Sequence, residues 1–111
     1  MLNTGKAVKV TLYLSDGAKH HGVPVYTSVV DFLFHSGIAG VTVTKGVAGF
    51  GARHRIHSAH ILDLSDHLPI KVEFIDTREK VDAVMQELES RCGCGLIEVQ
   101  DTSIVVPAKH S

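Results

Sequence analysis

Residues 37–57 read GIAGVTVTKGVAGFGARHRIH, and the fold can be worked out from this stretch. Gly37 stands where a helix C-cap is expected, because glycine readily adopts the left-handed conformation that ends many helices. The β-branched run that follows predicts a strand over residues 41–47. The remainder is a glycine-rich, basic loop. Backbone freedom and positive charge together suit the binding of an anion such as a phosphate group.

The residues before this stretch predict a strand, a loop and a helix. Residues 6–15 alternate between apolar and polar side chains, which indicates a half-buried strand. Residues 15–22 are predicted to form a polar loop. Pro24 suits the first turn of a helix, where its missing N–H costs nothing. The apolar positions of this helix fall on one face: Val25, Val29, Phe32 and Leu33.

The residues after it predict a strand, a helix and a last strand. Residues 61–64 form a short strand or continue a hairpin, and residues 69–75 alternate as a half-buried strand. Asp76 with Glu79 three residues later predicts a capping box. The helix then runs to about Arg91, and residues 96–106 form the final strand. The order β-α-β-β-α-β is typical of the ferredoxin-like fold.

The predicted fold class is therefore α+β: a four-stranded antiparallel sheet with both helices on one face. The uncovered face of the sheet would carry Lys9, Thr11, Tyr13, Thr42, Thr44, Lys71 and Glu73. Small domains with one bare sheet face often associate through it, so we expect an oligomer.

Composition restricts the class of protein. The 111 residues are enough for one domain, spanning 1–111, with a substantial core. A net charge of −1, 5% aromatic residues and no basic stripe argue against nucleic-acid binding. No apolar run approaches the length of a membrane span and no signal peptide is apparent, so we expect a cytoplasmic protein without direct membrane insertion. The spacing of Cys92 and Cys94 favours two reduced thiols.

Five ordered motifs resemble a known family. Gly40-Val41-Thr42-Val43-Thr44, followed by Gly49-Phe50-Gly51, is similar to the strand-to-loop motif of PII signalling proteins. The five motifs are residues 21–26, 37–43, 46–51, 56–57 and 64–69. Together they resemble an uncharacterised PII-like family described as a domain of unknown function, over about residues 6–106.

This resemblance implies a homotrimer with an adenine nucleotide, or another small anionic metabolite, in each of three clefts between subunits. It implies no other cofactor. Ligand state would be signalled, through an ordering of the loop at 46–60, to a regulated partner protein such as a transporter or an enzyme. The residues implied to line the base and ribose are Gly40, Val41, Thr42 and Val43. Gly49, Phe50 and Gly51 would form the hinge of the signalling loop, and Gly93 and Gly95 would present backbone N–H groups to phosphates.

The chain departs from the PII pattern at two places. The segment between Phe50 and Ile61 is short and contains no tyrosine, so uridylylation is not expected there. Leu96 stands where PII proteins carry a lysine, so a cationic phosphate contact would have to come from Arg53, Arg55 or Arg91. Arginine pairs bidentately with phosphate. Arg53 and Arg55 are equally compatible with a solvated loop or a contact across a trimer interface.

His54, His57 and His60 leave a second function open. Three imidazoles could bind zinc or copper, as in a metal-binding trimer resembling the divalent-cation-tolerance proteins. His57 lies in a family motif and is predicted first as a contact for a phosphate or carboxylate. No nucleophile elbow, Walker-type loop or dinucleotide fingerprint appears, so we do not expect an enzyme.

Overall fold

Four strands pair into one antiparallel sheet in the computed structural model, which describes residues 2–15, 17–49, 57–58, 68–92 and 96–108. The strands of this sheet are β1 (Gly5–Ser15), β4 (Val41–Lys45), β7 (Pro69–Asp76) and β8 (Leu96–Ile104). Two short hairpins pair β2 (Lys19–His20) with β3 (Val23–Pro24), and β5 (Ala48–Gly49) with β6 (His57–Ser58). The helices described are α1 (Val25–His35) and α2 (Arg78–Cys92).

The sheet has the strand order β4-β7-β1-β8, so β4 and β8 form its two edges. Each pair in this order is antiparallel. Helix α2 packs on β1, and α1 packs on β4, β7 and α2. The predicted ferredoxin-like α+β architecture is confirmed.

The core lies between the sheet and the two helices. The inward positions of β1 and β7 are almost fully buried, as the alternation predicts: Val8, Val10, Leu12, Leu14, Ile70, Val72 and Phe74. Val25, Val29 and Leu33 of α1 and Val81, Val84 and Leu88 of α2 pack against them. Burying one such Val, Leu or Phe side chain contributes roughly 1.5–3 kcal/mol.

Three local predictions differ from the structure. The predicted loop at 15–22 contains half of the β2–β3 hairpin, whose turn places His21 at φ 52°. The predicted strands 41–47 and 96–106 end earlier, at Lys45 and Ile104. The short strand predicted at 61–64 lies outside the described residues.

The predicted capping box at Asp76 and Glu79 is wrong, because the helix begins one residue later. The Lys80 N–H donates to Thr77 Oγ1 at 3.3 Å, so Thr77 occupies the N-cap. Three residues after Thr77 stands Lys80, where a capping box requires Glu or Gln. The Asp76 carboxylate is therefore free of the capping role and makes other contacts.

The prediction of a reduced thiol is wrong at Cys92, which is disulfide-bonded and buried at the end of α2. Spacing along the chain gives only the number of intervening residues. It does not give the backbone conformation beyond the helix end, and that conformation decides whether two sulfurs meet. Cys94 lies outside the described residues.

Candidate functional site

The predicted base-and-ribose residues lie at and before the edge strand β4. Val41 pairs with Phe74 and Val43 pairs with Val72, so both valines lie on the helix side of the sheet. Thr42 pairs with Glu73 and lies on the open side. Val43 is 39% exposed because no strand of the described chain covers this edge.

The turn that leads into β4 is held by the first turn of α2. Gly37 has φ 78°, a conformation that a side chain would strain. The Ala39 N–H donates to Asp76 Oδ2 at 2.9 Å, and Lys80 Nζ donates to the Gly37 carbonyl at 2.8 Å. Gly40, the first predicted ligand residue, follows directly after this held turn.

The exit from β4 is held by a close approach to Pro69. The Gly46 N–H donates to the Pro69 carbonyl at 2.7 Å, and a Cβ at Gly46 would lie 2.8 Å from Pro69 Cγ. The chain then forms β5, in which Gly49 pairs with His57 of β6. The structure thus brings Gly49 and His57 together beyond the Lys45 end of β4. That end of the strand lies roughly 20 Å from Gly40, the length of six extended residues.

The remaining predicted site residues lie outside the described residues: Phe50, Gly51, Arg53, Arg55, Gly93 and Gly95. Their attachment points are described. The segment that contains Phe50 to Arg55 begins after β5, beyond the Lys45 end of β4. The residues Gly93 and Gly95 directly precede Leu96, the first residue of β8. Both attachment points are at the same end of the sheet but on its opposite edges, about 14 Å apart for three interstrand spacings.

The open face of the sheet carries a polar network beside β4. Lys9 Nζ lies 3.0 Å from Glu73 Oε2, and Lys71 Nζ lies 3.6 Å from Glu73 Oε1. The Tyr13 hydroxyl donates to Glu98 Oε1 at 3.0 Å. The prediction that Lys9, Thr11, Tyr13, Thr42, Thr44, Lys71 and Glu73 share this face is confirmed by the register.

These contacts shift three pKa values. The hydrogen bond from Lys9 lowers the pKa of Glu73 and, reciprocally, raises that of Lys9. The hydrogen bond to Glu98 is the main reason that the pKa of Tyr13 is raised. The network thus contains two carboxylates: Glu73 is paired with two lysines, and Glu98 accepts the hydrogen bond from Tyr13.

Arg91, a predicted candidate for phosphate contact, is engaged inside the subunit. Its Nε lies 2.6 Å from Glu87 Oε2, its Nη1 donates to Ser28 Oγ at 3.1 Å, and its guanidinium lies 4.9 Å from the ring centroid of Phe32. The contacts with Ser28 and Phe32 fasten α2 to α1. A phosphate would have to compete with them for the same guanidinium.

The metal-site alternative stays a prediction, since His54 and His60 lie outside the described residues and nothing is described of the His57 side chain. Within the described ranges, no group of three or more His, Cys, Asp or Glu residues is arranged to hold a metal ion. Elemental analysis of the purified protein for zinc and copper would decide this alternative.

Sequence reasoning missed the contacts of Asp76 and Lys80 with the turn before β4. Asp76 carried a signal in the sequence, since it is an acidic residue that ends an alternating strand on the inward face. The spacing of Asp76 and Glu79 instead favours helix capping. Lys80 carried none, because its contact with Gly37 joins residues 43 positions apart.

Comparison with known proteins extends these observations. A family model described as DUF190, uncharacterized ACR, COG1993, matches residues 7–104. A UPF0166 protein of Methanocaldococcus jannaschii is 34% identical over 100 residues, covering 89% of this chain and 92% of that protein. A UPF0166 protein of Aquifex aeolicus is 28% identical over 94 residues, covering 85% and 89%.

Solved structures of similar fold include CPII, a nitrogen regulatory PII-like protein from Thiomonas intermedia K12. Its complex with ADP and bicarbonate has a TM-score of 0.60 at 19% identity and covers 92% of this chain and 91% of that one. A complex of CPII with ADP, AMP and bicarbonate has a TM-score of 0.58 at 17% identity, covering 94% and 96%. At these identities the likeness establishes a PII-like fold. No helix in the described part of the chain is both long and apolar enough to cross a membrane.

Proposed function

Because the chain belongs to the DUF190 (UPF0166) family and has a PII-like fold, we propose that it is a single-domain regulatory protein of the cytoplasm. It binds a small anionic metabolite, an adenine nucleotide, in clefts between the subunits of a homotrimer. Its activity is regulatory and not catalytic. Ligand occupancy sets the conformation of residues 46–60 and so changes the binding of a partner protein, a transporter or an enzyme.

The observation that supports this proposal is the position of the strand ends that lead into the two glycine-rich segments. One leaves the sheet beyond Lys45 on edge strand β4, and the other enters it before Leu96 on edge strand β8. Two interior strands separate these edges, so the points at which the two segments join the sheet lie on opposite edges of one subunit. If β4 of one copy lies beside β8 of the next, both segments border a single cleft at the same end of the assembly.

The nature of the ligand follows from the residues available to that cleft. Arg53 and Arg55 supply positive charge, and Gly93 and Gly95 supply backbone N–H groups that can donate hydrogen bonds to an anion. Leu96 provides no charge at the position of the PII lysine. Fewer cationic contacts favour ligands with fewer phosphates, so AMP and ADP are expected to bind more tightly than ATP. The complexes of CPII with ADP and AMP support this choice.

Isothermal titration with AMP, ADP, ATP, cyclic AMP and bicarbonate tests the proposal. We expect heat with at least AMP or ADP, and roughly tenfold weaker binding or more for the double variant Arg53→Ala, Arg55→Ala. Arg78→Ala is the matched control, because Arg78 pairs with Asp101 at the other end of the sheet and should leave the affinity unchanged. An absence of heat with every nucleotide would remove this function.

A further inference from the structure

The junction between α2 and β8 contains a disulfide that the proposed ligand binding does not use. Cys92, the last residue of α2, is disulfide-bonded and 5% exposed. The sequence contains two cysteines, so Cys94 is the one bonding partner that a single chain offers to Cys92. β8 begins two residues after Cys94, at Leu96. The bond therefore closes a very short loop between the end of a helix and the start of a strand.

The size of this loop indicates what the bond does. A disulfide stabilises a fold mainly by removing entropy from the unfolded chain, and the gain becomes smaller as the closed loop becomes shorter. A loop that spans only residues 92–94 gains little in this way. The bond therefore adds little to the stability of the whole fold, and its effect is confined to the backbone between α2 and β8.

The core on the helix side of this junction is compatible with both oxidation states. The Cys92 side chain belongs to the same buried core as Val84 and Leu88 of α2. A free cysteine packs as a small apolar side chain, so reduction leaves this part of the core filled. The preceding residue, Arg91, fastens α2 to α1 through Ser28 Oγ at 3.1 Å, a contact that does not involve the disulfide. The end of α2 is therefore expected to stay in place when the bond is reduced.

The strand side of the junction is held less firmly. In the part of the chain that the structure describes, β8 pairs only with β1, so it has one ladder of hydrogen bonds where a central strand has two. Its first residue, Leu96, lies opposite Tyr13, and the Leu96 side chain is 59% exposed. Burial of this side chain thus contributes little. A change in the loop before Leu96 will therefore act on the start of β8 and not on α2.

We propose that Cys92 and Cys94 form a reversible disulfide that acts as a redox switch for the start of β8. The oxidised pair fixes the junction, and the reduced pair releases it. The oxidant is a small-molecule disulfide. The two thiols of the chain lose two protons and two electrons as their S–S bond forms, and the S–S bond of the oxidant breaks and leaves as two thiols.

Thiol trapping and hydrogen exchange test this switch. The protein is equilibrated with oxidised or with reduced glutathione, the remaining thiols are alkylated, and the intact mass is measured. We expect a monomer without label after oxidation and a monomer with two labels after reduction. Amide exchange followed by NMR should be about threefold faster or more at Leu96 and Ile97 in the reduced form, and unchanged at Val10 in the centre of the sheet.

Variants separate the switch from a general effect of the buffer. Cys94→Ser removes the bond and leaves the buried Cys92 in place, and Cys92→Ala makes the same test if Cys94→Ser does not fold. Each should show the exchange of the reduced wild type at Leu96 in both buffers. Ser90→Ala is the matched control, because it changes an exposed position in the last turn of α2 and keeps both cysteines. It should respond to oxidation as the wild type does.

Two results would overturn this inference. Two labels after oxidation, a glutathione adduct or a disulfide-linked dimer would show that the two cysteines of one chain do not form the bond. Equal exchange at Leu96 in the oxidised and reduced wild type would show that the bond forms but switches nothing. Neither measurement uses a nucleotide, so this inference and the proposed function fail separately.

Discussion

At the scale of single residues, the open face of the sheet is a polar surface whose side chains form ion pairs and hydrogen bonds with one another. Glu73 lies between Lys9 and Lys71, and Thr11 beside it is only 4% exposed although neither of the two described helices packs on this face. Thr11 is covered by the neighbouring side chains of the same face. These polar side chains therefore shield the centre of the sheet on the face opposite the two described helices.

The pKa of Glu73 leads to a prediction about pH. A carboxyl whose pKa is lowered on folding stabilises the folded state above its unfolded value, here 4.5, and loses that contribution as the pH falls through the folded pKa. We therefore expect Glu73→Gln to lower the urea midpoint at pH 7 and to make little difference at pH 3.

The same prediction has a salt dependence, because the pairs are partly exposed. Raising the ionic strength at pH 7 should reduce the difference between Glu73→Gln and the wild type. Equal differences at pH 3 and pH 7 would show that the variant acts through packing and not through charge.

At the scale of elements, β4 is the strand on which the candidate site depends, and it is held at both ends. Asp76 and Lys80 hold its entry, and the carbonyl of Pro69 holds its exit at Gly46. The β5–β6 pairing then returns the chain so that His57 lies opposite Gly49. The turns at its two ends therefore restrain this edge strand. A central strand is restrained in the same way by its second neighbouring strand.

Substitution at the exit tests this description of β4. In Gly46→Ala the new Cβ would lie 2.8 Å from Pro69 Cγ, and the proline ring is rigid, so the backbone must shift and the 2.7 Å hydrogen bond weakens. We expect a loss of about 1–3 kcal/mol in the free energy of unfolding, measured by urea denaturation.

Gly40→Ala is the control for that measurement, because its Cβ would meet nothing within 4 Å and its backbone is not left-handed. It should change stability by less than about 0.5 kcal/mol. A Gly46→Ala protein as stable as Gly40→Ala would mean that the exit of β4 can move away from Pro69 freely.

At the scale of the whole molecule, the proposed trimer accounts for the two edges of the sheet, β4 and β8. Valines remain partly exposed on both edges: Val43, 39% exposed, on β4 and Val99, 44% exposed, on β8. In the proposed assembly these edges border the same cleft. A change on either one should therefore have the same consequence for assembly.

Light scattering should give a mass of about 36 kDa for the wild type, three times the chain mass of 12.0 kDa. We expect Val43→Asp and Val99→Asp each to shift this mass toward the monomer and to weaken AMP binding, since a charge in a closed interface is costly. Thr27→Asp, on an exposed position of α1, should keep the wild-type mass. Two edge variants with the wild-type mass would show that the edges do not meet.

The sequence by itself determined the family, the order of the main elements and the faces that they bury. Period-two alternation in β1 and β7 and the helical spacing of Val25, Val29 and Leu33 are local patterns, and they state directly which side chains avoid water. The motifs that resemble PII-like proteins predicted the family because they are ordered along the whole chain.

The tertiary structure alone decided the strand order β4-β7-β1-β8, the bond from Ala39 to Asp76 and the contact of Gly46 with Pro69. Each of these joins residues that are far apart in the chain. Their side-chain types are compatible with several local roles, as the wrong capping prediction at Asp76 shows. Periodicity reports burial, but a hydrogen bond between distant residues exists only after the sheet and helices have brought its two groups within reach.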